Sequence, residues 1–310
     1  MSINRTLIKS GPAIVTWNGA TVYFKDGLTI MEELKTFDVN VDTFTGTDKR
    51  RDSVVAIISG TPSGQWINLG VLYPWLSAAR GARLHGASDK PAVIKFLDGD
   101  IFTYHNAGLA EMPDLFLGAT KTAFDGKLTL EARTKLNTTP ETANSFVTRT
   151  SGTFNDTSFS WDDIPTQVYA LSWGADPWDS FNSRDGVKIS TKLKWSDLDS
   201  DAGGVVDREL DGVEVSVSFT PLDIAQSAID AKLAMQGTAR GARLSALAQD
   251  FIIEGDGVYV MVRSAVAVKV PLQAGTSGKG RHGTIEAVAT MAVTAGAPIA
   301  QLYVDTAAPV

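Results

Sequence analysis

Three aspartates at alternate positions, Asp197, Asp199 and Asp201, form the spacing in this chain that best suits hard-cation chemistry. A calcium ion takes oxygens from positions one, three and five of a tight loop, with glycine at six and a bidentate glutamate at twelve. Here those last two positions hold Ala202 and Arg208. Two readings stand, a weak calcium loop or the solvated tip of an acidic loop. Adjacent acids such as Glu32 with Glu33 and Asp162 with Asp163 do not by themselves place carboxylates across a cleft, as glycoside cleavage needs. The chain has no G-x-S-x-G, no phosphate-binding P-loop and no G-x-G-x-x-G after a strand. It has no cysteine, and its three histidines (His85, His105 and His282) lie far apart. The expectation is a protein that is not an enzyme and holds no cofactor.

The elements that would carry such residues belong to an ordinary folding chain. With 310 residues, 44% hydrophobic and 20% charged, it has material for two domains. A net charge of -7 has the wrong sign for gripping nucleic acid through its phosphates. Arg5 and Lys9 interrupt the stretch where a signal peptide would be apolar, which predicts a cytoplasmic product. The longest uncharged run, Ala287 to Gln301, is too short and too polar for a membrane span.

Self-comparison finds a repeat. Ala79-Arg-Gly-Ala-Arg-Leu84 recurs unchanged as Ala239-Arg-Gly-Ala-Arg-Leu244. In nearly the same register Lys25-Asp-Gly-Leu28 faces Arg184-Asp-Gly-Val187, Asp52 faces Asp211, and Ser59-Gly-Thr-Pro62 faces Ser218-Phe-Thr-Pro221. Further on, Thr129-Leu-Glu-Ala132 matches Thr284-Ile-Glu-Ala287, the region of Val147 resembles that of Val304, and Val15-Thr-Trp17 answers Leu171-Ser-Trp173. The order is collinear, which predicts two copies of one domain: 1–149, a Ser/Thr/Asp-rich linker 150–164, and 165–310.

Alternation and β-branched enrichment predict strands at Ala13 to Trp17, Thr21 to Phe24, Val54 to Ser59, Ala92 to Phe96, Ile101 to Tyr104 and Lys127 to Ala132. In the second copy they predict Val187 to Trp195, Val213 to Phe219, Val258 to Val262, Ala265 to Val270 and Thr284 to Ala289. One helix per copy follows a Thr-Pro, at Pro62 to about Arg80 and Pro221 to about Gln236, with Pro74 kinking the first. Long polar loops are expected from Thr36 to Asp52 and from Lys194 to Asp211, placed alike in both copies. The paired Arg80, Arg83, Arg240 and Arg243 read either as helix-end charges or as contacts between subunits.

Gly60-Thr-Pro-Ser-Gly-Gln-Trp-Ile-Asn-Leu-Gly-Val-Leu-Tyr-Pro-Trp75, then Gly86-Ala-Ser-Asp-Lys-Pro91 and Met112-Pro-Asp-Leu-Phe-Leu-Gly-Ala-Thr-Lys-Thr122, resemble the tail tube (major tail) proteins of long-tailed bacteriophages. The second copy keeps Thr220-Pro221 without the Trp or the Tyr-Pro. The resemblance implies a mainly β chain of two tandem β-sandwich or partial-barrel domains, each with a flanking helix and a long early loop. It also implies a structural virion protein, assembled in the host cytoplasm, whose rings stack into a tube around the exiting genome. Two domains per chain turn a six-fold ring into a trimer with pseudo-six-fold symmetry. Implied partners are further copies of the chain, a tape-measure protein, tail-terminator and baseplate proteins, and double-stranded DNA that passes without specific binding. No membrane is involved.

From this reading, Thr43, Phe44, Thr45, Gly46, Lys49, Arg50, Asp199, Asp201, Gly203 and Gly204 are expected in ring-stacking loops, and Arg80, Arg83, Arg240 and Arg243 at contacts within a ring. Acidic and small polar side chains are expected to outnumber Lys and Arg on the channel wall, because basic contacts to phosphate slow transit. The alternatives are a duplicated carbohydrate- or receptor-binding sandwich, and a tube-terminating or baseplate-hub protein.

Overall fold

The computed structural model describes residues 5–9, 13–24, 28–40, 47–62, 81–85, 90–118, 122–133, 146–154, 169–200, 204–222, 224–232, 239–255, 258–269, 283–290 and 302–305. The fold is mainly β and antiparallel. In chain order the first strands are β1 (Arg5–Lys9), β2 (Ala13–Trp17), β3 (Ala20–Phe24), β4 (Leu28–Asn40), β5 (Thr47–Gly60) and β6 (Ala92–Phe96). They continue as β7 (Asp100–Tyr104), β8 (Ala107–Glu111), β9 (Asp114–Leu117), β10 (Thr122–Asp125), β11 (Leu128–Arg133) and β12 (Val147–Ser151). The second half holds β13 (Ala170–Trp173), β14 (Ser183–Ser200), β15 (Gly204–Pro221), β16 (Gln249–Gly255), β17 (Val258–Lys269), β18 (Ile285–Ala289) and β19 (Leu302–Asp305). Helix α1 (Gln226–Lys232) and a 3-10 turn (Leu244–Leu247) follow β15.

Pairing follows the same order in both halves. In the first, one sheet runs β1-β4-β5-β11-β8 and a second runs β12-β7-β6-β2-β3. In the second, β14-β15-β18-β17 repeats β4-β5-β11-β8, and β13-β16-β17 with β19 on β17 repeats β2-β6-β7 with β12 on β7. The two sheets of the second half join because β17 serves both. Val258 to Val262 and Ala265 to Val270, expected as separate strands, are thus largely one strand bent at Ser264, whose φ is +51°. The corresponding corner in the first half is Asn106, φ +52°, between β7 and β8.

The alternating strands lay their apolar faces on one connected core that passes through both halves. Trp17 and Trp173 are each 1% exposed, so they are core residues rather than a flat ligand platform. Trp17 Nε1 donates to Ala107 O at 2.9 Å, and Trp173 Nε1 donates to Ala265 O at 3.3 Å. Each bond ties a strand of one layer to the residue just past the corner. Around Trp173, the rings of Trp178, Phe181, Phe219 and Phe251 pack mostly edge to face. Lys232 of α1 covers this group: its Nζ stands 4.8 Å from the Trp173 ring centroid and donates to Trp173 O at 2.6 Å and to Gln249 Oε1.

Several expectations change. Thr36 to Asp52 and Lys194 to Asp211 are not loops but the arms of two long hairpins, paired as far as Asn40↔Thr47 and Ser200↔Gly204. Their sequences hide this because the arms are rich in Asp, Lys and Arg and their register shifts at Leu34/Thr36 and Lys194/Trp195, while the ladder needs only backbone groups. The second helix is seven residues long, and Pro221 still belongs to β15. Most of the first expected helix, with Pro74, lies outside the described residues. The first half extends past residue 149, since β12 pairs through Ser151↔Asp100 and Gly152 N donates to Gly99 O. Of the rest of the linker, 155–164 lies outside the described residues. The match of Thr129–Ala132 to Thr284–Ala287 is two residues out of structural register. By pairing, Ala132, opposite Ala107, corresponds to Ala289, opposite Ala265.

Trp17→Phe and Trp173→Phe each leave a buried carbonyl without its donor. Each is expected to cost about 1–3 kcal/mol in urea unfolding, with an unchanged m-value. Burial pushes the Lys232 ammonium down to about 8, against the carbonyl and the ring faces that favour its charge. Above that pH the folded chain has shed a proton that the unfolded chain keeps up to about 10.4, so stability rises across this window. Lys232→Met is expected to abolish the rise.

Candidate functional site: the seam between the two halves

Leaving β8 through Met112-Pro113, the chain lays β9 along β14 of the other half, with Leu117↔Val187, Phe116↔Lys188 and Leu115↔Ile189 in register. The approach is close. Gly186 has φ +87°, and a Cβ there would run into the backbone of Leu117. Lys188 Nζ spans Asp114 and Asp125 at 2.9 Å each, and the two carboxylates, Asp125 foremost, push its ammonium up. Trp195 Nε1 donates to Ala110 O at 3.1 Å. On β4 the corresponding edge is taken by β1, with Lys9↔Leu28 through Arg5↔Glu32.

A second contact uses the repeated hexapeptide. Gly81 N donates to Leu210 O at 3.0 Å, Leu210 N to Ala82 O at 2.9 Å and Leu84 N to Arg208 O at 2.8 Å, so 81–84 forms a short antiparallel ladder with the outer part of β15. Arg83 sits opposite Glu209 in it.

Behind this ladder lies a buried polar cluster. His85 Nδ1 lies 2.8 Å from Asn106 O, and His85 N donates to Asp207 Oδ1 at 3.2 Å. His85 Nε2 faces Glu131 Oε1 at 3.6 Å, too far for a good hydrogen bond. Arg208 Nη1 donates to Glu131 Oε2 at 2.8 Å, while its Nε donates to Asp197 Oδ1 at 3.0 Å. Burial pushes the Glu131 carboxyl up, but His85, Arg208 and Arg133 outweigh it and hold the group below its ordinary value. No spacing in the sequence marks Glu131 or His85, because their partners are remote along the chain. The alternation of β11 was a signal that Glu131 faces away from the core.

The seam decides the fate of several expected residues. Asp197 and Asp199 lie on β14 rather than in a calcium loop, and Asp197 is occupied by Arg208. Asp201 lies outside the described residues, and among those described no group of acids or histidines could hold a metal. Lys49 and Arg50 are on β5, and Gly204 opens β15. Thr43, Phe44, Thr45, Gly46 and Gly203, at the hairpin tips, lie outside the described residues, as does Arg80. Arg83 is at the seam, whereas Arg240 and Arg243 stand exposed. Glu32 is structural: it accepts from Tyr104 Oη and Arg149 Nη2, both at 2.8 Å, and with burial it pushes the phenol up.

The face of β14-β15-β18 turned away from the core carries Ser190, Ser216, Ser218, Thr220 and Thr284. Among them Lys194 pairs with Glu214 at 2.9 Å, and Lys269 pairs with Glu286 at 2.7 Å. On β4, Lys35 pairs with Glu33 at 2.8 Å. Lys188 and Lys192 share this face, opposite Ser218 and Glu214, so its charges, set among small polar residues, are not an acidic excess. No family model matches the chain, and no curated protein matches it either. Among the described residues no helix is long and apolar enough to cross a membrane.

Glu131→Gln leaves Arg208 and Arg133 without their shared buried carboxylate and is expected to cost about 2 kcal/mol. Because the folded value is lowered, the stabilisation is complete above about pH 4.3 and is lost as the pH falls through the folded value. Thermal unfolding between pH 3 and 7 is therefore expected to show an acid-labile component in the parent chain that Glu131→Gln lacks.

Proposed function

We propose that this chain is a structural subunit of a phage tail tube: two tandem copies of a tube domain that assemble as trimeric, pseudo-six-fold rings stacked around a DNA channel. The observation that carries the reading is the seam, where one half donates a strand and a short ladder to a similarly wired half. The recurring order of pairings, the matched Trp bonds and the matched corners at Asn106 and Ser264 support the duplication. Each half contributes a run of four strands, β4-β5-β11-β8 and β14-β15-β18-β17. Three chains then supply 24 strands at about 4.8 Å spacing, and a tilt near 40° closes them at a backbone diameter of roughly 48 Å. A duplex about 20 Å wide passes after side chains are added.

On this face Ser and Thr are frequent, Lys188, Lys194 and Lys269 are held by carboxylates and Lys192 stands opposite Glu214, which limits the grip of the wall on phosphate and suits passage without retention. Joining edge to edge also removes the open strand edges that isolated sheets would leave. The hairpin arms, about 23 Å long from Lys194 to Ser200 on β14, have the reach to contact a neighbouring ring.

Negative-stain microscopy of the purified chain is expected to show rings with three chains each, and tubes. Monodisperse monomers retained on a glycan column would overturn the proposal in favour of a binding module. Replacing residues 41–46 by Asn-Gly, a two-residue hairpin turn, is expected to leave rings intact and stop their stacking. Tube formation at the parental rate would rule out that role for the tip.

A further inference from the structure

The two copies of Ala-Arg-Gly-Ala-Arg-Leu stand in opposite states. In the first, Gly81 and Leu84 donate their N–H groups to β15, and Leu84 is 2% exposed. In the second, Gly241 keeps the same left-handed backbone, φ +88° against +89° at Gly81. Yet Gly241, Ala242 and Arg243 are exposed, and among the described residues neither Gly241 nor Leu244 donates to another strand. A Cβ placed on Gly81 would meet Glu209 Oε1 at 2.9 Å, whereas one on Gly241 meets nothing within 4 Å. The glycine turn is kept up to Leu244, which opens the 3-10 turn, and among the described residues the segment lacks the strand it would pair.

The receiving strand also exists twice. Across β14 and β15 the register runs Trp195↔Leu210, Ser196↔Glu209, Asp197↔Arg208 and Leu198↔Asp207, just beyond an irregularity at Lys194/Trp195. Across β4 and β5 it runs Thr36↔Arg51, Phe37↔Arg50, Asp38↔Lys49 and Val39↔Asp48, just beyond an irregularity at Leu34/Thr36. Residues 48–51 are therefore the counterpart of 207–210. β11 pairs β5 only from Val55 to Gly60, and among the described strands none lies along that edge at 48–51.

We infer that segment 241–244 of one chain pairs antiparallel with residues 48–51 of a second copy of this chain, repeating between chains the ladder that 81–84 and 207–210 make within one. The joint is head-to-tail, with a segment on one side and a hairpin arm on the other, so each repetition adds a further half in the same sense. Its occupant is a second copy because this chain already carries the same sequence seated on the same type of edge. The inference rests on the assembly reading above and adds to it which edges meet and in which register. One pair differs in charge: Arg83 faces Glu209, but Arg243 faces Arg50. Like charges opposite each other weaken a strand pair, and salt screens them, so association between chains strengthens as salt is raised.

Cysteine trapping reads the register directly, because the chain has none of its own. The 83–209 pair is flanked by Leu84 N to Arg208 O and Leu210 N to Ala82 O, the narrow type with Cα atoms about 4.5 Å apart, within disulfide range. Arg83→Cys with Glu209→Cys is expected to close within one chain and run at monomer mass on a non-reducing denaturing gel. Arg243→Cys with Arg50→Cys, oxidised with copper–phenanthroline in the full chain, is expected to give covalent multimers. Native assembly in sedimentation without covalent multimers would overturn the edge pairing and leave the assembly reading standing. A monomer in sedimentation, with the control disulfide formed, would overturn both. Arg50→Glu recreates the charge pair of the inner seam and is expected to tighten association about fivefold at low salt. Weaker association of that variant would also overturn the pairing.

Discussion

In each half a buried indole N–H bonds the carbonyl just beyond a left-handed corner, and the layered architecture depends on that bond. The corner residue, Asn106 or Ser264, turns the chain out of the sheet that holds the tryptophan and into the sheet that meets the other half. A positive φ costs a non-glycine residue free energy, so the surroundings must hold it. The indole does so by packing its ring in the core and spending its single donor on the carbonyl that the corner would otherwise bury unpaired.

Around this shared device the two halves fill the common core differently. The second half stacks Trp173, Trp178, Phe181, Phe219 and Phe251 into one aromatic group, and β17 runs unbroken through its corner. The first half has the smaller ring pairs Phe96–Phe102 and Tyr104–Phe146, and its chain divides into β7 and β8. Its layers are also tied by Glu32, held by Tyr104 and Arg149 across the sandwich. Pairing order is kept while the side chains that fill the core change, as close-packed cores permit.

The seam has a different physics from the core. Glu131, His85, Asn106, Arg133 and Asp207 are buried polar groups in its neighbourhood, joined by Arg208, which reaches in from the hairpin arm. Buried ions are costly unless paired, so such a joint is selective: it is favourable only when every partner arrives in register. A backbone ladder beside the cluster gives the affinity that the charges do not, and the left-handed glycine lets the segment lie flat on its edge.

What the sequence alone determined is where one face of a strand is apolar. Ala92–Phe96 appears with the boundaries its alternation predicts, because burial of one face leaves a period-two record, and Ala13–Trp17 appears with those of its apolar, β-branched run. The repeated hexapeptide and the tryptophans were legible for the same reason, as residue identities kept in collinear order. The arms at Thr36–Asp52 and Lys194–Asp211 were not legible as strands, since their few apolar residues, such as Phe37, Val39, Trp195 and Leu210, stand among acids, Lys and Arg, and irregularities at Leu34/Thr36 and Lys194/Trp195 break the period. Nor was the register of β11 against β18: Thr-Leu-Glu-Ala and Thr-Ile-Glu-Ala align by letter, yet pairing sets them two residues apart, and a shift of two keeps every side chain on its own face. Tertiary structure alone decided that Glu131, Arg208 and His85 meet, and that one Arg-Gly-Ala-Arg segment is seated while its twin is exposed. Contacts between edges are made by main-chain groups common to every residue, so only the arrangement of the sheets in space determines which edge finds a partner.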